Sequence, residues 1–202
     1  MQLIGMLDSP YVRRAAISLR LLGLPFEHRS ISVFSSFTQF QQINPVVKAP
    51  TLVCDDGVCL MDSTLILDYA ESLAAPGRSL RPDTAMAVRR DLQLLGLALA
   101  ACEKTVQIVY EHNLRPAEKQ HAPWLDRVGG QLAAAYAALE TELARAPLCL
   151  DAITQAGVTT AVAWSFTQML LPGVVDVATH PVLADFAARA EQLPVFLATP
   201  AV

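Results

Sequence analysis

The chain has 202 residues, of which 53% are hydrophobic and 17% charged, with 15 basic and 19 acidic side chains and a formal net charge of -4. That length suffices for one large domain or two small ones and for a core that needs no staples. The apolar content excludes a disordered chain, and the acidic balance argues against a nucleic-acid partner, which needs a basic face.

QLIGM (2–6) is a short apolar run before polar punctuation and predicts a strand. Ser9-Pro10 then opens a helix, since Ser is a favoured N-cap and Pro is tolerated at the first helical position. Val12, Ala15, Ala16 and Leu19 recur at helical spacing, with Arg13 and Arg20 on another face, and Gly23 and Pro25 end the helix. PFEHRSISV (25–33) is a weaker strand. SSFTQFQQIN (35–44) is a short helix with Phe37, Phe40 and Ile43 three apart, stopped by Asn44-Pro45. TLVCDDGVCLM (51–61) is a hairpin with an Asp-Gly turn, and Ser63 is expected to cap a helix running to about Leu73. The order β-α-β-α-β-β-α requires parallel crossovers and an antiparallel hairpin at the end. APGRSLRPD (75–83) supplies the turn residues of a linker.

Beyond Asp83 the strand signals vanish. Residues 84–114 read as one long helix, broken by Arg115-Pro116. Residues 123–146 form a second helix, with Gly129-Gly130 as its weak spot. Residues 154–170 form a third, apolar nearly all round and therefore central. Residues 180–194 form a fourth, with Leu183, Phe186, Ala187, Ala190 and Leu193 on one side. The domains are expected at 1–76 and 83–202.

Cys54, Cys59, Cys102 and Cys149 follow no metal-ligand spacing and are expected as reduced thiols, Cys54 and Cys59 facing each other across the hairpin. No metal is expected. The start MQLIGMLDS lacks the basic region of a signal peptide. The longest apolar run, residues 94–102, is about half a membrane span. A cytoplasmic protein with no membrane partner is expected.

Ser9-Pro10-Tyr11-Val12 occupies the frame in which a thioredoxin-like redox protein carries C-x-x-C, but without either sulfur. Taken alone, Ser9 is a helix cap. Lys48-Ala49-Pro50-Thr51-Leu52 puts a proline at the first position of a strand, where an ordinary trans edge proline also fits. Asp62-Ser63 is either a capping pair or a head-group site. In the second case, main-chain N–H groups and the Ser63 hydroxyl take a carboxylate at the positive helix end, and Asp62 takes the neighbouring ammonium.

The order of these signals, followed by an all-helical half, resembles the glutathione transferase superfamily along the whole chain, and within it the small bacterial proteins that begin Ser-Pro-[Phe/Tyr]-Val-Arg. The resemblance implies an α/β thioredoxin-like N-terminal domain that binds glutathione and an all-α C-terminal domain that carries an acceptor pocket. Ser9 falls on the family's catalytic position. Ala49-Pro50 matches the Val-cis-Pro that pairs with the cysteinyl backbone of glutathione, and Lys48 is the implied partner of the glycyl carboxylate. Asp62-Ser63 matches the Glu/Gln-Ser that holds the γ-glutamyl head. Leu7, Met6, Tyr11, Val106 and Tyr110 are implied to line the acceptor pocket.

The implied activity is detoxifying: glutathione, as co-substrate, is activated as thiolate and conjugated to a small hydrophobic electrophile by a homodimer. Two alternatives are a glutathione-binding protein with a redox or isomerase role and a non-catalytic regulator on the same fold. Two residues depart from the family pattern. Ala49 is smaller than Val. Gly157 stands where the family has the Asp of a Thr-x-x-Asp capping box, so that Gly157→Asp is expected to stabilise.

Overall fold

Leu3 and Ile4 are adjacent in the first strand and both wholly buried. Neighbouring side chains on a strand point to opposite faces, so the sheet they belong to must be covered on both sides. The structure, a computed structural model, describes residues 1–201 and divides into two units, residues 1–81 with the segment from Gln192 onward, and Pro82–Glu191.

The first unit runs β1 (Gln2–Ile4), α1 (Pro10–Leu21), β2 (Glu27–Arg29), α2 (Phe37–Ile43), β3 (Thr51–Val53), β4 (Cys59–Leu60) and α3 (Ser63–Leu73). The sheet order is β2-β1-β3-β4. On one face Leu3 packs with Val12, Ala15, Ala16 and Leu19 of α1, Leu52, and Ile66, Leu67 and Ala70 of α3. On the other, Ile4 packs with Ile31 and Phe40. Of the expected Phe37, Phe40 and Ile43 stripe, Phe40 alone is wholly buried, and Phe37 is exposed.

Four expectations need correcting. Only β1 and β2 are parallel; β3 runs antiparallel to β1 because the loop 44–50 after α2 brings it in from the opposite end. The hairpin register pairs Val53 with Cys59, and the Cys54 N–H donates to Val58 O. Cys54 and the residue opposite Cys59 are therefore consecutive, so the two thiols point to opposite faces. Arg13 and Arg20, expected on one face of α1 apart from its apolar stripe, part company: Arg13 is buried, as is Arg14, while Arg20 is exposed. The chain end does not stay with the helical unit. A short helix α8 (Pro194–Leu197) packs on α1, Phe196 lies 5.7 Å from the Arg13 guanidinium, and Arg13 Nε donates to Thr199 O at 2.8 Å.

The second unit contains α4 (Ala85–Leu114), α5 (Ala122–Arg145), α6 (Gln155–Leu170) and α7 (Pro181–Ala190). By length and composition α4 could cross a membrane. Here its buried face, which includes Leu94, Ala98, Ala101 and Ile108, packs on α5 and α6. α6 is buried nearly all round, as its composition predicts. Its polar side chains are bridged internally: Tyr136 Oη donates to Ala163 O at 2.9 Å and meets Thr167 Oγ1 at 2.6 Å, which in turn meets Thr105 Oγ1 at 2.7 Å.

Candidate functional site

Three short stretches of the first unit, all at the ends of its strands and helices, carry the candidate residues. The first is the turn from β1 into α1. Ser9 occupies the N-cap position of α1 with extended φ and ψ, and its carbonyl accepts from the Arg13 N–H at 2.9 Å. Its side chain makes no capping bond, and the hydroxyl has no hydrogen-bond partner among the described residues. The capping role expected of this serine is therefore not taken up by its side chain. A half-buried hydroxyl is left at the positive end of a twelve-residue helix. Leu7 and Tyr11 flank it, both half-buried.

The second stretch is the loop before β3. The Ala49–Pro50 peptide is cis. The loop is braced from below: Asn44, buried, donates from Nδ2 to Thr51 Oγ1 at 2.8 Å, and Thr51 Oγ1 donates to Lys48 O at 2.7 Å. The Lys48 side chain is exposed and has no carboxylate partner among the described residues. Gly5 explains how this loop meets the first turn. At φ +137° it adopts a conformation that other residues rarely take, and a Cβ there would stand 2.6 Å from Val12 Cγ2 and 3.2 Å from Ala49 Cβ. The missing side chain lets the Ala49–Pro50 loop close against the β1–α1 turn.

The third stretch opens α3. Asp62, not Ser63, is its N-cap: Oδ1 accepts from the N–H groups of Thr64 at 2.9 Å and Leu65 at 3.4 Å. Its Oδ2 makes no hydrogen bond among the described residues. Ser63 is the first helical residue, where a side chain cannot fold back onto N2 or N3 as a cap does. Its hydroxyl turns instead to Arg14 on α1, whose Nη1 donates to it at 3.0 Å.

The structure thus gathers Ser9, Lys48, Ala49, Pro50, Asp62 and Ser63 in one unit. Val106 and Tyr110 lie one turn apart on α4, in the other unit, Val106 half-buried and Tyr110 exposed. Sequence reasoning missed Gly5, Asn44 and Arg14. The signal for Arg14 is its position between Val12 and the Ala15-Ala16 pair, on a face that must be buried if α1 covers the sheet. The Met61–Asp62 peptide is also cis, and no proline marks it.

Residues 3–78 match the family described as glutathione S-transferase, N-terminal domain. A 71-residue stretch is 37% identical to the uncharacterized GST-like protein YibF of Escherichia coli K12; it spans 35% of this chain and 35% of that protein, so the chain matches about a third of that relative's length. Among solved structures, a glutathione transferase family member from Pseudomonas fluorescens Pf-5 with bound glutathione is 30% identical, with a TM-score of 0.85 over 98% of this chain and 97% of that one. A glutathione S-transferase from Methylobacterium radiotolerans JCM 2831, in complex with glutathione sulfonate, is 27% identical, with a TM-score of 0.89 over 98% and 93%.

Proposed function

Because this chain belongs to the glutathione transferase superfamily, we propose that it binds glutathione in its first unit and conjugates the activated thiol to a small hydrophobic electrophile. The observation that carries the reading is the Ser9 hydroxyl. It stands at the N-terminus of α1, and its helix does not use it.

In this reading the γ-glutamyl head lies over the start of α3. Asp62 Oδ1 already occupies the N–H groups of Thr64 and Leu65, so the ligand carboxylate is left with Ser63, through its N–H and hydroxyl. Asp62 Oδ2 receives the ammonium. The cysteinyl main chain pairs with Ala49, and Lys48 takes the glycyl carboxylate. The sulfur then meets Ser9.

A thiol with a pKa near 8.5 is only a few per cent thiolate at pH 7, about. Lowering that pKa by about two units makes most of it thiolate, at roughly 1.4 kcal/mol per unit. A hydroxyl donor and the positive end of a helix both stabilise the anion. The thiol proton leaves to solvent, the sulfur lone pair bonds to the electrophilic carbon, and the leaving group departs with the electrons of the broken bond. Leu7 and Tyr11 supply apolar contact beside Ser9. With serine and the wholly buried Val12 in the C-x-x-C frame, dithiol exchange is not the chemistry of this site.

The same proposal holds the active form to be a cytoplasmic homodimer. An exposed stripe on α3, Leu65, Tyr69 and Leu73 at 61%, 37% and 42% exposure, supports a second copy as its cover, and light scattering checks it. The decisive experiment is Ser9→Ala. Because the hydroxyl makes no capping bond, stability should change by less than about 0.5 kcal/mol. Turnover with a model aryl halide should fall more than glutathione affinity, and the apparent pKa of the pH–rate profile should rise. Full activity with an unchanged profile would end the assignment.

A further inference from the structure

Among the described residues, Val47 is the one residue other than glycine with a left-handed backbone, at φ +52°. That conformation crowds any Cβ, and a branched one most. Two sets of contacts hold it. The Val47 N–H donates to Asn44 O at 2.9 Å and the Val46 N–H to Asn44 Oδ1 at 3.0 Å, which closes a turn on a buried asparagine. The Val46 side chain is 63% exposed, whereas Val47 is half-buried and packs on the cluster of Ile4, Ile31 and Phe40. Ala49 packs on the same cluster, so the exposed Lys48 stands between two anchored neighbours. Turning φ at 47 to a negative value would rotate the Val47 side chain off the cluster and redirect Lys48 with it.

We propose that Val47 is a positioning residue of the glycyl subsite: burial of its side chain holds the left-handed backbone that aims the Lys48 ammonium at the ligand's glycyl carboxylate. This rests on the reading that glutathione lies along this loop with that carboxylate at Lys48. Lysine is a point charge on a flexible four-carbon stem, and pairing costs it rotamer freedom. An exposed pair of this kind contributes little unless the stem already starts in the right direction. Val47 fixes that start and leaves less to be ordered on binding.

The test is calorimetric titration of two ligands, glutathione and its glycyl monoethyl ester, which keeps the γ-glutamyl head and the thiol and lacks the glycyl charge. The proteins are the wild type, Lys48→Met, Val47→Ala and Val47→Gly. The wild type should prefer glutathione by roughly threefold to tenfold, and Lys48→Met should bring the ratio to about one. Val47→Ala loses the anchor and keeps a Cβ that disfavours positive φ, so its ratio should also approach one. Val47→Gly should keep at least about half of the preference, because glycine takes this backbone without strain and the turn bonds to Asn44 come from main-chain N–H groups. The ranking Val, Gly, Ala separates the proposal from plain packing, which ranks Val, Ala, Gly.

A Val47→Ala that keeps the wild-type ratio, or more of it than Val47→Gly, overturns the proposal and leaves the glutathione reading intact. A wild type that binds both ligands equally, or a Lys48→Met that keeps the preference, removes Lys48 from the glycyl carboxylate and this inference with it. A wild type that binds neither ligand ends the glutathione reading as well. Should Val47→Ala fail to fold by circular dichroism, Val47→Asn replaces it. Asparagine tolerates the left-handed backbone and cannot supply the apolar packing, so its ratio should follow Val47→Gly, and a ratio reduced to that of Lys48→Met overturns the proposal.

Discussion

Gly157 offers the sharpest conflict between a sequence pattern and the space around a residue. From the pattern, Gly157→Asp completes a capping box at the start of α6 and gains about 1 kcal/mol. The structure reverses the sign. Thr154 is the N-cap and accepts from the Gly157 N–H at 3.4 Å, and its own hydroxyl donates to Asp91, a buried carboxylate on α4. A carboxylate is thus already present at this helix start, supplied by another helix and bound to the cap hydroxyl. A Cβ at 157 would stand 2.8 Å from Ile153 Cγ1 and 3.7 Å from Phe186 Cζ. Cγ1 is not the free tip of the isoleucine, and Ile153 is 8% exposed, so it cannot step aside. Overpacking of this kind costs about 1–3 kcal/mol, against about 0.5–1 kcal/mol gained by replacing glycine with alanine in a helix. Gly157→Ala should therefore lose about 1–2 kcal/mol, a fall in Tm of roughly 2–8 °C for a chain of this size. Gly157→Asp should lose more, because its carboxylate also arrives beside Asp91. Thermal denaturation followed by circular dichroism reads both. In an Ile153→Ala background, which removes Cγ1, the cost of Gly157→Ala should shrink. A Tm that rises in Gly157→Ala, or a cost that is the same in the two backgrounds, refutes the steric account.

The opening of α3 separates charge from capping: Asp62→Asn keeps an N-cap of equal quality and should weaken glutathione binding by about 1.5–3 kcal/mol in calorimetry with Tm unchanged. Asp62→Ala should lose the same binding and a further 0.5–2 kcal/mol, about, of stability; equal Tm values for the two variants would show that the observed cap contributes nothing. Thiol labelling at pH 8 should find Cys59 and Cys149, both exposed, reacting first. Cys54 should lag, because burial, with Asp56 nearby, pushes its thiol up and leaves less thiolate at a given pH. Cys102, wholly buried, should react only on unfolding, and a Cys54 as fast as Cys59 contradicts that ordering. Glu140 accepts from the N–H groups of Val182 at 3.0 Å and Leu183 at 2.8 Å with its two oxygens, so the isosteric Glu140→Gln, which turns an NH2 toward one of those donors, should cost about 1–3 kcal/mol in chemical denaturation.

What was legible in the chain, and what was not, divides by how far apart the partners lie in sequence. The first unit announces itself because its signals are local. The apolar run QLIGM marks a strand, Ser9-Pro10 marks a helix start, and Asp55-Asp56-Gly57 marks a hairpin. Even there Arg14 escaped. No local pattern marks its partner, Ser63, which is 49 residues away. In the helical unit the starts of α5, α6 and α7 all draw on a carboxylate from a different helix. Glu111 of α4 accepts from the His121 N–H at 3.0 Å, Asp91 of α4 holds the Thr154 cap, and Glu140 of α5 takes the first N–H groups of α7. Every helix leaves its first N–H groups without an internal partner and carries a positive end. A capping box meets that need within four residues, where a pattern reveals it; a packed bundle can meet it from a neighbour, where no pattern does. An acid on one helix becomes the acceptor for the start of another once the bundle forms. Gly157 is tolerated for the same reason. Asp91 holds the Thr154 cap, and the space that a side chain at the third position of α6 would need is filled by Ile153.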